Sequence, residues 1–301
     1  MSAVFRAMGT DVTVVAPELD ASAEAVVALE VAAVFAESER RFSRFLPDSE
    51  LSQLNRARGP FAASAPMFEA LRRARAYFEL TSGLFDPAVG GALAALGYDR
   101  SFSPGGLDRA APPALAPRAA SSDLELDPAT RTVTRPPHVT LDLGGFIKGF
   151  AADRAARRLP PNAAVNAGGD AVMRGGGPSG DGWLVDVEDP RDAARVLLTV
   201  RARDRGVATS APNRRRWMAG GREQHHLLDP RTGRPAPSDL EQVTVLAPTA
   251  EVADVLAKTA FLMGRRAGGH FLSRLPGIGG VLIPRDGAPE ITGEVEVLAD
   301  V

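Results

Sequence analysis

The sequence predicts a loop-rich α+β protein, and three observations support this fold class. The 30 glycines and 24 prolines are spread through many turns, which is typical of a folded protein with many loops rather than of a disordered chain. Apolar residues make up 45% of the chain and charged residues 24%, as in ordinary globular proteins. Helical patterns dominate the first part and short strands the second part. No repeat and no convincing linker is visible, so we expect one domain over residues 1–301.

Amphipathic helices are predicted where apolar residues recur every three or four positions. The predicted helices cover residues 21–41, residues 64–81, a stretch ending near Leu159, and a stretch from Thr249 to about Met263. In the first helix, the residues expected to share one face are Val26, Leu29, Ala33 and Val34. Thr249 is the expected N-cap of the last helix, and Gly83 is a plausible glycine C-cap after the second.

Short β-strands are predicted where β-branched and apolar runs lie between turn residues. They cover residues 10–16, 124–135, 139–143, 164–167, 183–188, 196–201, 206–210, 225–229 and 242–247. Residues 101–122, which are rich in Pro, Ala, Gly and Ser, are predicted to form a long surface loop.

The charge and composition of the chain exclude several classes of function. A net charge of −2 and a pI near 6.1 give no indication of a nucleic acid or an anionic membrane as the main partner. The absence of cysteine excludes disulfides, thiolate metal sites and a Cys nucleophile. There is no run of eighteen apolar residues and no secretory leader pattern, so we expect no membrane span and a cytoplasmic location.

The segment Leu141–Asp153 has the composition of a strand that enters a helix through two glycines. Glycines at such a junction let a ligand approach the backbone, and the first amides of the helix favour an anion such as phosphate. Asp142 and Lys148 place opposite charges on either side of Gly144 and Gly145. Taken alone, however, a junction of this kind is more often structural than ligand-binding.

Two further features have both a functional and a structural interpretation. His226 is a candidate general base because imidazole titrates near neutral pH, but a hydrogen-bonded strand histidine explains it equally well. Asp254 and Lys258 lie four residues apart on a predicted helix, where they would form an ordinary exposed ion pair. Alternatively, Asp254 could serve as a carboxylate ligand for Mg²⁺. The sequence has no P-loop, no GxGxxG after a strand and no GxSxG elbow.

Seven motifs occur in one order along almost the whole chain. They are Met8-Gly9-Thr10, Phe42-Ser43-Arg44-Phe45 with Ser49-Glu50-Leu51, Gly83 to Gly90, the segment Leu141–Asp153, Asn166-Ala167-Gly168-Gly169-Asp170, Gly206 to Ser210, and His226 to Gly233. These motifs occur in the same order as those of the ApbE family, the FAD:protein FMN transferases, and they are followed by the helix around Asp254. The chain therefore resembles this family.

The resemblance implies a fold and an activity. The fold is a single α+β domain of the ApbE type, with mixed β-sheets and flanking helices. The family splits FAD at its pyrophosphate, transfers FMN to a threonine hydroxyl of a target flavoprotein and releases AMP, and it requires Mg²⁺. FAD is therefore the expected substrate, and a flavoprotein with an acceptor threonine is the expected partner.

The resemblance also assigns roles to individual residues. It places His226 near the reacting phosphate, as the candidate base for the threonine hydroxyl. It implies Mg²⁺ binding by the backbone carbonyl of Gly145 and the side chain of Asp254. The positions that it implies for contact with FAD are Met8, Phe45, Leu84, Phe85, Asp86, Asp142, Lys148 and Leu228.

One position departs from the family pattern. Four residues after the metal-binding aspartate the family usually has a threonine that also binds the cation, and this chain has Lys258 there. An ammonium has no lone pair and cannot bind Mg²⁺. Either Mg²⁺ binds with fewer protein ligands, or Lys258 replaces the charge of the cation. The rival functions are a non-catalytic FAD-binding or delivery protein and an FAD pyrophosphatase that forms FMN and AMP.

Overall fold

The structure is a computed structural model that describes residues 2–102, 107 and 118–298. Most of the loop predicted over residues 101–122 lies outside the described residues. The helices are α1 Ala21–Phe42, α2 Glu50–Arg56, α3 Ala65–Leu80, α4 Gly90–Ala95, α5 Ile147–Ala156, α6 Ala250–Met263 and α7 Arg265–Ser273. None of the helices in this described part is long and apolar enough to cross a membrane.

The strands are short, and those within each named sheet pair antiparallel. They are β1 Ser2–Ala7, β2 Thr10–Val15, β3 Phe61–Ala62, β4 Glu125–Asp127, β5 Thr132–Thr134, β6 Ala163–Ala167, β7 Asp170–Arg174, β8 Trp183–Asp189, β9 Asp192–Ala202, β10 Arg205–Ser210, β11 Arg216–Ala219, β12 Arg222–His225, β13 Leu228–Asp229, β14 Arg234–Pro235, β15 Leu240–Ala247, β16 Gly279–Pro284, β17 Glu290–Gly293 and β18 Glu296–Leu298. Helices combined with antiparallel sheets confirm the predicted α+β class.

The chain forms two compact units. The first unit comprises Met1–Glu37, Lys148–Ala211 and Ser238–Val301, and the second comprises Ser38–Ile147 and Pro212–Pro237. The single domain expected over residues 1–301 stays a prediction.

The first unit contains an eight-stranded sheet in the order β1-β2-β6-β7-β10-β15-β16-β17 and a smaller sheet in the order β18-β9-β8. Helix α6 packs on β10 and β15, and α7 packs on β16 and β17. As predicted, Thr249 caps α6 by accepting a hydrogen bond from the Val252 amide. The sheet and its helices enclose an apolar core in which Val12, Val165 and Phe35 are fully buried.

Strand β1 was not predicted, although the sequence carries a signal for it. β1 and β2 form a hairpin through the two-residue turn Met8-Gly9, where φ is +51° and +74°. Two consecutive positive φ values define the turn type that matches the natural twist of paired strands. Glycine adopts this conformation readily, whereas Met8 adopts it against its side-chain preference.

The predicted buried face of α1 was wrong. Val26 and Leu29 are 56% and 72% exposed. The buried face is formed by Ala28, Val31 and Phe35, which also have the three- and four-residue spacing of a helix stripe. An alanine-rich helix with apolar residues on two sides offers two possible stripes, and Phe35 has the larger side chain to bury.

The second unit contains α2, α3, α4 and the small sheets β3-β5-β4, β11-β12 and β13-β14. Helix α3 is capped by Ser64 and followed by Gly83, whose amide donates to the Phe78 carbonyl at 2.8 Å. This bond and the φ of +80° at Gly83 are typical of a glycine-terminated helix.

The strand predicted over residues 139–143 was wrong. Only Thr140 makes an isolated bridge there, with Val89. The side chain of Asn55 takes the place of a neighbouring strand. Its Oδ1 accepts from the Leu141 amide at 2.8 Å, and its Nδ2 donates to the Leu141 carbonyl at 2.9 Å. The backbone polar groups of this segment are thus satisfied by a side chain that lies 86 residues earlier in the sequence.

Candidate functional site

In the first unit, α5 docks directly on the N-terminus of α6. Asp153 accepts hydrogen bonds from the Ala250 and Glu251 amides, each at 2.9 Å. These amides have no intrahelical partner, so the carboxylate both caps the helix and complements its dipole. Gly149, one turn earlier on the same face of α5, allows the close approach, because an added Cβ would lie 2.5 Å from the Ala250 carbonyl oxygen.

This docking brings four charged side chains together, which we call the lysine–aspartate cluster: Lys148, Asp170, Asp254 and Lys258. Lys148 pairs with Asp170 and lies 4.0 Å from Asp254 Oδ2, while Lys258 Nζ lies 3.5 Å from Asp254 Oδ1. The two carboxylates are almost fully buried, and the lysine side chains are 17% and 16% exposed. Asp254 and Lys258 are therefore a buried pair rather than the exposed ion pair of the structural interpretation.

Asp170 reaches the cluster because of a tight hairpin. β6 and β7 are joined by Gly168 and Gly169, both with positive φ, and Asp170 is the first residue of β7. At Gly168 an added Cβ would lie 2.1 Å from the Thr10 hydroxyl, so no larger residue fits without a shift. The sequence had marked this Gly-Gly-acid turn as a motif, but it gave no role to Asp170.

Asp254 has the features expected of a ligand for a hard cation. Its Oδ2 is buried and accepts no hydrogen bond within the described residues. Mg²⁺ commonly binds through one or two carboxylates together with water and substrate phosphates. The described residues contain no group of three His, Cys, Asp or Glu that could hold a metal. The buried Oδ2 of Asp254 is thus an oxygen that could serve as one ligand of Mg²⁺, and the ammonium group of Lys258 would oppose the charge of the cation.

In the second unit, Asp142 is held by donors on both carboxylate oxygens. Arg44 Nε donates to Oδ2 at 2.5 Å, and the Gly144 amide donates to Oδ1 at 2.6 Å. The Asp142 amide also donates to the Pro87 carbonyl at 2.8 Å. The side chains of Arg44 and Asp142 are only 9% and 11% exposed, so this is a buried ion pair. Sequence reasoning quoted Arg44 within a motif but missed this contact.

Arg44 also organises the aromatic side chains around it. Its Nη2 donates to the Tyr98 carbonyl at 2.6 Å, and its guanidinium lies 4.1 Å from the Phe45 ring centroid and 4.7 Å from that of Tyr98. Stacked cation–π contacts of this kind are favourable. Tyr98 in turn contacts Trp217, whose indole N–H donates to the Leu96 carbonyl. Phe45 is half-buried beside Arg44 and Tyr98.

Among the other predicted FAD-contacting residues of this unit, Phe85, Asp86 and Leu228 are buried. Phe85 packs edge-to-face on Tyr77 and Phe146, at 5.9 and 5.8 Å between centroids. Leu84 is half-buried. The Asp86 carboxylate accepts from the amides of Ala88 and Ser121, at 2.8 and 3.1 Å. Burial raises the pKa of Asp86 above its ordinary value, and these hydrogen bonds oppose the shift.

His226 lies in a bend between β12 and β13, so the single strand predicted over residues 225–229 was wrong. Its Nδ1 lies 3.2 Å from the Arg215 carbonyl oxygen, and its backbone amide donates to the same oxygen. A carbonyl can only accept, so this contact favours the tautomer with the proton on Nδ1 and the lone pair on Nε2.

Each unit thus holds its own share of the predicted residues. Met8, in the β1–β2 turn, belongs to the first unit with Lys148 and Asp254. The second unit holds the rest: Phe45, Leu84, Phe85, Asp86, Asp142, Gly145, His226 and Leu228. Their roles in binding FAD and Mg²⁺ stay predictions.

The fold and these groups define an α+β protein in which the buried carboxylates of Asp142, Asp170 and Asp254 are each paired with a basic side chain. Comparison with known proteins then specifies the family. The model of the ApbE family matches residues 8–282, and the chain belongs to this family. The resemblance described from the sequence is therefore confirmed.

Relatives and solved structures agree with this assignment. A protein of Treponema pallidum (strain Nichols) named FAD:protein FMN transferase is 29% identical over 289 residues, covering 87% of this chain and 78% of the relative. One of the same name from Chlamydia pneumoniae is 30% identical over 258 residues, covering 81% and 78%. The crystal structure of the ApbE protein from Thermotoga maritima has a TM-score of 0.85 at 26% identity, covering 97% of this chain and 96% of that one.

Proposed function

We propose that the protein is an Mg²⁺-dependent FAD:protein FMN transferase, which moves FMN from FAD to a threonine hydroxyl of a target flavoprotein. The observation that carries the proposal is the match to the ApbE family over residues 8–282, a range that includes every predicted site residue. The name shared by relatives such as those of Treponema pallidum and Chlamydia pneumoniae supports the same activity.

The proposed reaction forms one bond and breaks one. The threonine oxygen bonds to the phosphorus of the FMN half of FAD, and the bond from that phosphorus to the bridging oxygen breaks. AMP leaves with the bridging oxygen and its electron pair, and the hydroxyl proton goes to a base. His226 suits this role, because its contact with the Arg215 carbonyl favours a lone pair on Nε2.

Phosphoryl transfer depends mainly on positioning and on neutralising charge. We propose that Lys148 contributes its ammonium to a phosphate of FAD and that Asp254 contributes its buried Oδ2 as a ligand of Mg²⁺. Bound Mg²⁺ would supply the positive charge that pyrophosphate cleavage requires. The ligand role implied for the Gly145 carbonyl stays a prediction.

The proposed contacts with the flavin involve residues of different exposure. Phe45 and Leu84 are half-buried, so part of each side chain is available to a ring system. Phe85, Asp86 and Leu228 are buried, which suits residues that support a pocket wall from behind. Asp142 is already bonded to Arg44 and Gly144, and Met8 stands in a tight turn. The cytoplasmic location expected from the sequence stays a prediction.

The test combines the purified chain with FAD, Mg²⁺ and a threonine-containing peptide from a candidate flavoprotein. Gain of FMN mass on the peptide, with matching AMP release, is the expected result. AMP without labelled peptide would instead indicate a pyrophosphatase. FAD binding without either product would indicate a binding or delivery protein, and no affinity for FAD would exclude all three functions.

A matched pair of variants tests the base. We expect His226→Gln to lower the rate of transfer by roughly 10²–10⁴, the usual contribution of a general base. His270→Gln, which changes an exposed histidine on α7, serves as the control and should leave the rate unchanged. Equal rates in both variants would show that His226 is not the base.

A further inference from the structure

Lysine is used in this chain at only two positions. The sequence has 33 arginines and two lysines, Lys148 and Lys258. Both lysines lie beside the Asp254 carboxylate. Lys148 Nζ is 4.0 Å from Oδ2, and Lys258 Nζ is 3.5 Å from Oδ1. In a chain whose other basic residues are arginines, both lysine ammonium groups thus lie in the lysine–aspartate cluster.

The difference between the two basic side chains explains why this position suits lysine. An ammonium is a compact point charge on a flexible stem, whereas a guanidinium is a wide planar fork. The lysine–aspartate cluster contains two carboxylates and two ammonium groups, so its formal charges already balance. A divalent cation that joins this cluster enters a site in which Asp254 is already paired.

We propose that Lys258 sets the affinity of this chain for the divalent cation at Asp254. Oδ2 accepts no hydrogen bond within the described residues and lies 4.0 Å from the Lys148 ammonium, while the Lys258 ammonium places a further positive charge 3.5 Å from Oδ1. A cation that binds Oδ2 meets this charge, so it binds more weakly than it would beside a neutral side chain. Part of the positive charge at the site is then supplied by the protein itself.

This inference deepens the proposed function. The statement about metal affinity is independent of that function, whereas the statement about FMN transfer rests on it. If the ammonium supplies part of the charge, transfer needs a higher Mg²⁺ concentration than in a variant with a neutral residue 258. The affinity of the metal site itself can be measured without any substrate. The two statements can therefore succeed or fail separately.

The test measures binding of Mn²⁺, as a paramagnetic probe for Mg²⁺, to the purified chain by electron paramagnetic resonance. Lys258→Met and Lys258→Gln are expected to bind Mn²⁺ at least about tenfold more tightly than the wild type, because Coulomb's law gives about this factor for a unit charge a few ångströms from a divalent ion even at the screening of bulk water. Lys258→Arg keeps the charge and should stay near the wild-type affinity. Two neutral variants of different shape keep the test valid if one of them does not fold.

Two control variants locate the effect. Asp254→Asn is expected to abolish the Mn²⁺ signal of the site. Arg73→Met removes the basic partner of another i,i+4 ion pair, the exposed pair with Glu69 on α3, and should leave Mn²⁺ binding unchanged. Equal Mn²⁺ affinity in the wild type and both neutral variants, or retained binding in Asp254→Asn, would overturn the inference.

Transfer assays separate this inference from the proposed function. We expect Lys258→Met to reach half-maximal FMN transfer at about a tenfold lower Mg²⁺ concentration than the wild type, in line with the same charge effect. If Mn²⁺ affinity rises but no variant transfers FMN, the proposed function fails and the inference about the metal site stands. If the wild type, Lys258→Met and Lys258→Gln reach half-maximal FMN transfer at the same Mg²⁺ concentration and bind Mn²⁺ equally, the inference fails and the function stands.

Discussion

The two units hold their acidic side chains by different means. In the first unit, Asp254 lies on α6, whose N-terminus is fixed against α5 by close packing at Gly149 and by the Asp153 carboxylate. In the second unit, Asp142 lies in a segment with no regular strand, and side chains such as Arg44 hold it in place.

The difference shows which carboxylate is available to a ligand. Asp142 accepts hydrogen bonds on both oxygens, so its negative charge is used to order its own loop. Within the part of the chain that the structure describes, Asp254 keeps one buried oxygen that accepts no hydrogen bond, which is costly unless something binds it. In the first unit a separate carboxylate, Asp153, orders the helix, and Asp254 keeps an oxygen that a ligand can bind; in the second unit Asp142 itself orders the loop in which it lies.

The strongest test of this contrast is Arg44→Met in the second unit. Removing one partner of a buried ion pair leaves an uncompensated charge, and the free energy of unfolding is expected to fall by about 3–5 kcal/mol. The double variant Arg44→Met/Asp142→Asn removes both charges while it keeps an acceptor for the Gly144 amide. It should recover part of the loss in urea denaturation. A single variant as stable as the wild type would show that Arg44 does not order this loop.

The same contrast explains how much could be predicted from the sequence. Helix α6 was predicted with its cap, because Thr249 and the apolar stripe behind it are local signals. The strand over residues 139–143 was wrong because the partner of Leu141 is Asn55, a distant side chain that no local pattern reveals.

Residues of the candidate site could be singled out from the sequence only where they lie within a motif or at a helical spacing. Asp142, Lys148 and Asp254 stand out by their charge and spacing, and the family resemblance assigned their roles, which stay predictions. The ion pair between Asp142 and Arg44 depends on residues 98 positions apart, and the pair between Lys148 and Asp170 depends on a hairpin that turns Asp170 toward α5. Contacts of this kind follow from tertiary packing, which neither periodicity nor spacing records.

The close backbone contact in the first unit can be tested with two glycine substitutions of opposite effect. Gly149→Ala would place a Cβ 2.5 Å from the Ala250 carbonyl oxygen, and we expect a loss of about 1–3 kcal/mol in the free energy of unfolding. Gly269→Ala on α7 meets only a side-chain carbon of Leu282 at 3.8 Å and should stabilise the protein by roughly 0.5–1 kcal/mol. Urea denaturation of both variants and of the wild type measures these changes in the free energy of unfolding. Equal changes would show that α5 and α6 do not pack as closely as described.

The smallest expected effect is a pH dependence in the second unit, and it arises from Asp86. Burial raises the pKa of Asp86 above its ordinary value of 3.8, so the unfolded state loses its proton first as the pH rises. The stability that the protonated group contributes is complete below pH 3.8 and is lost as the pH rises through the raised pKa of the folded state.

Asp86→Asn cannot ionise but keeps an acceptor for the Ala88 and Ser121 amides. The free energy of unfolding of the wild type should therefore fall relative to that of Asp86→Asn as the pH rises from 4 to 7, measured by urea denaturation at each pH. Parallel curves would show that Asp86 ionises in the folded state as easily as in the unfolded one, because its hydrogen bonds fully offset its burial.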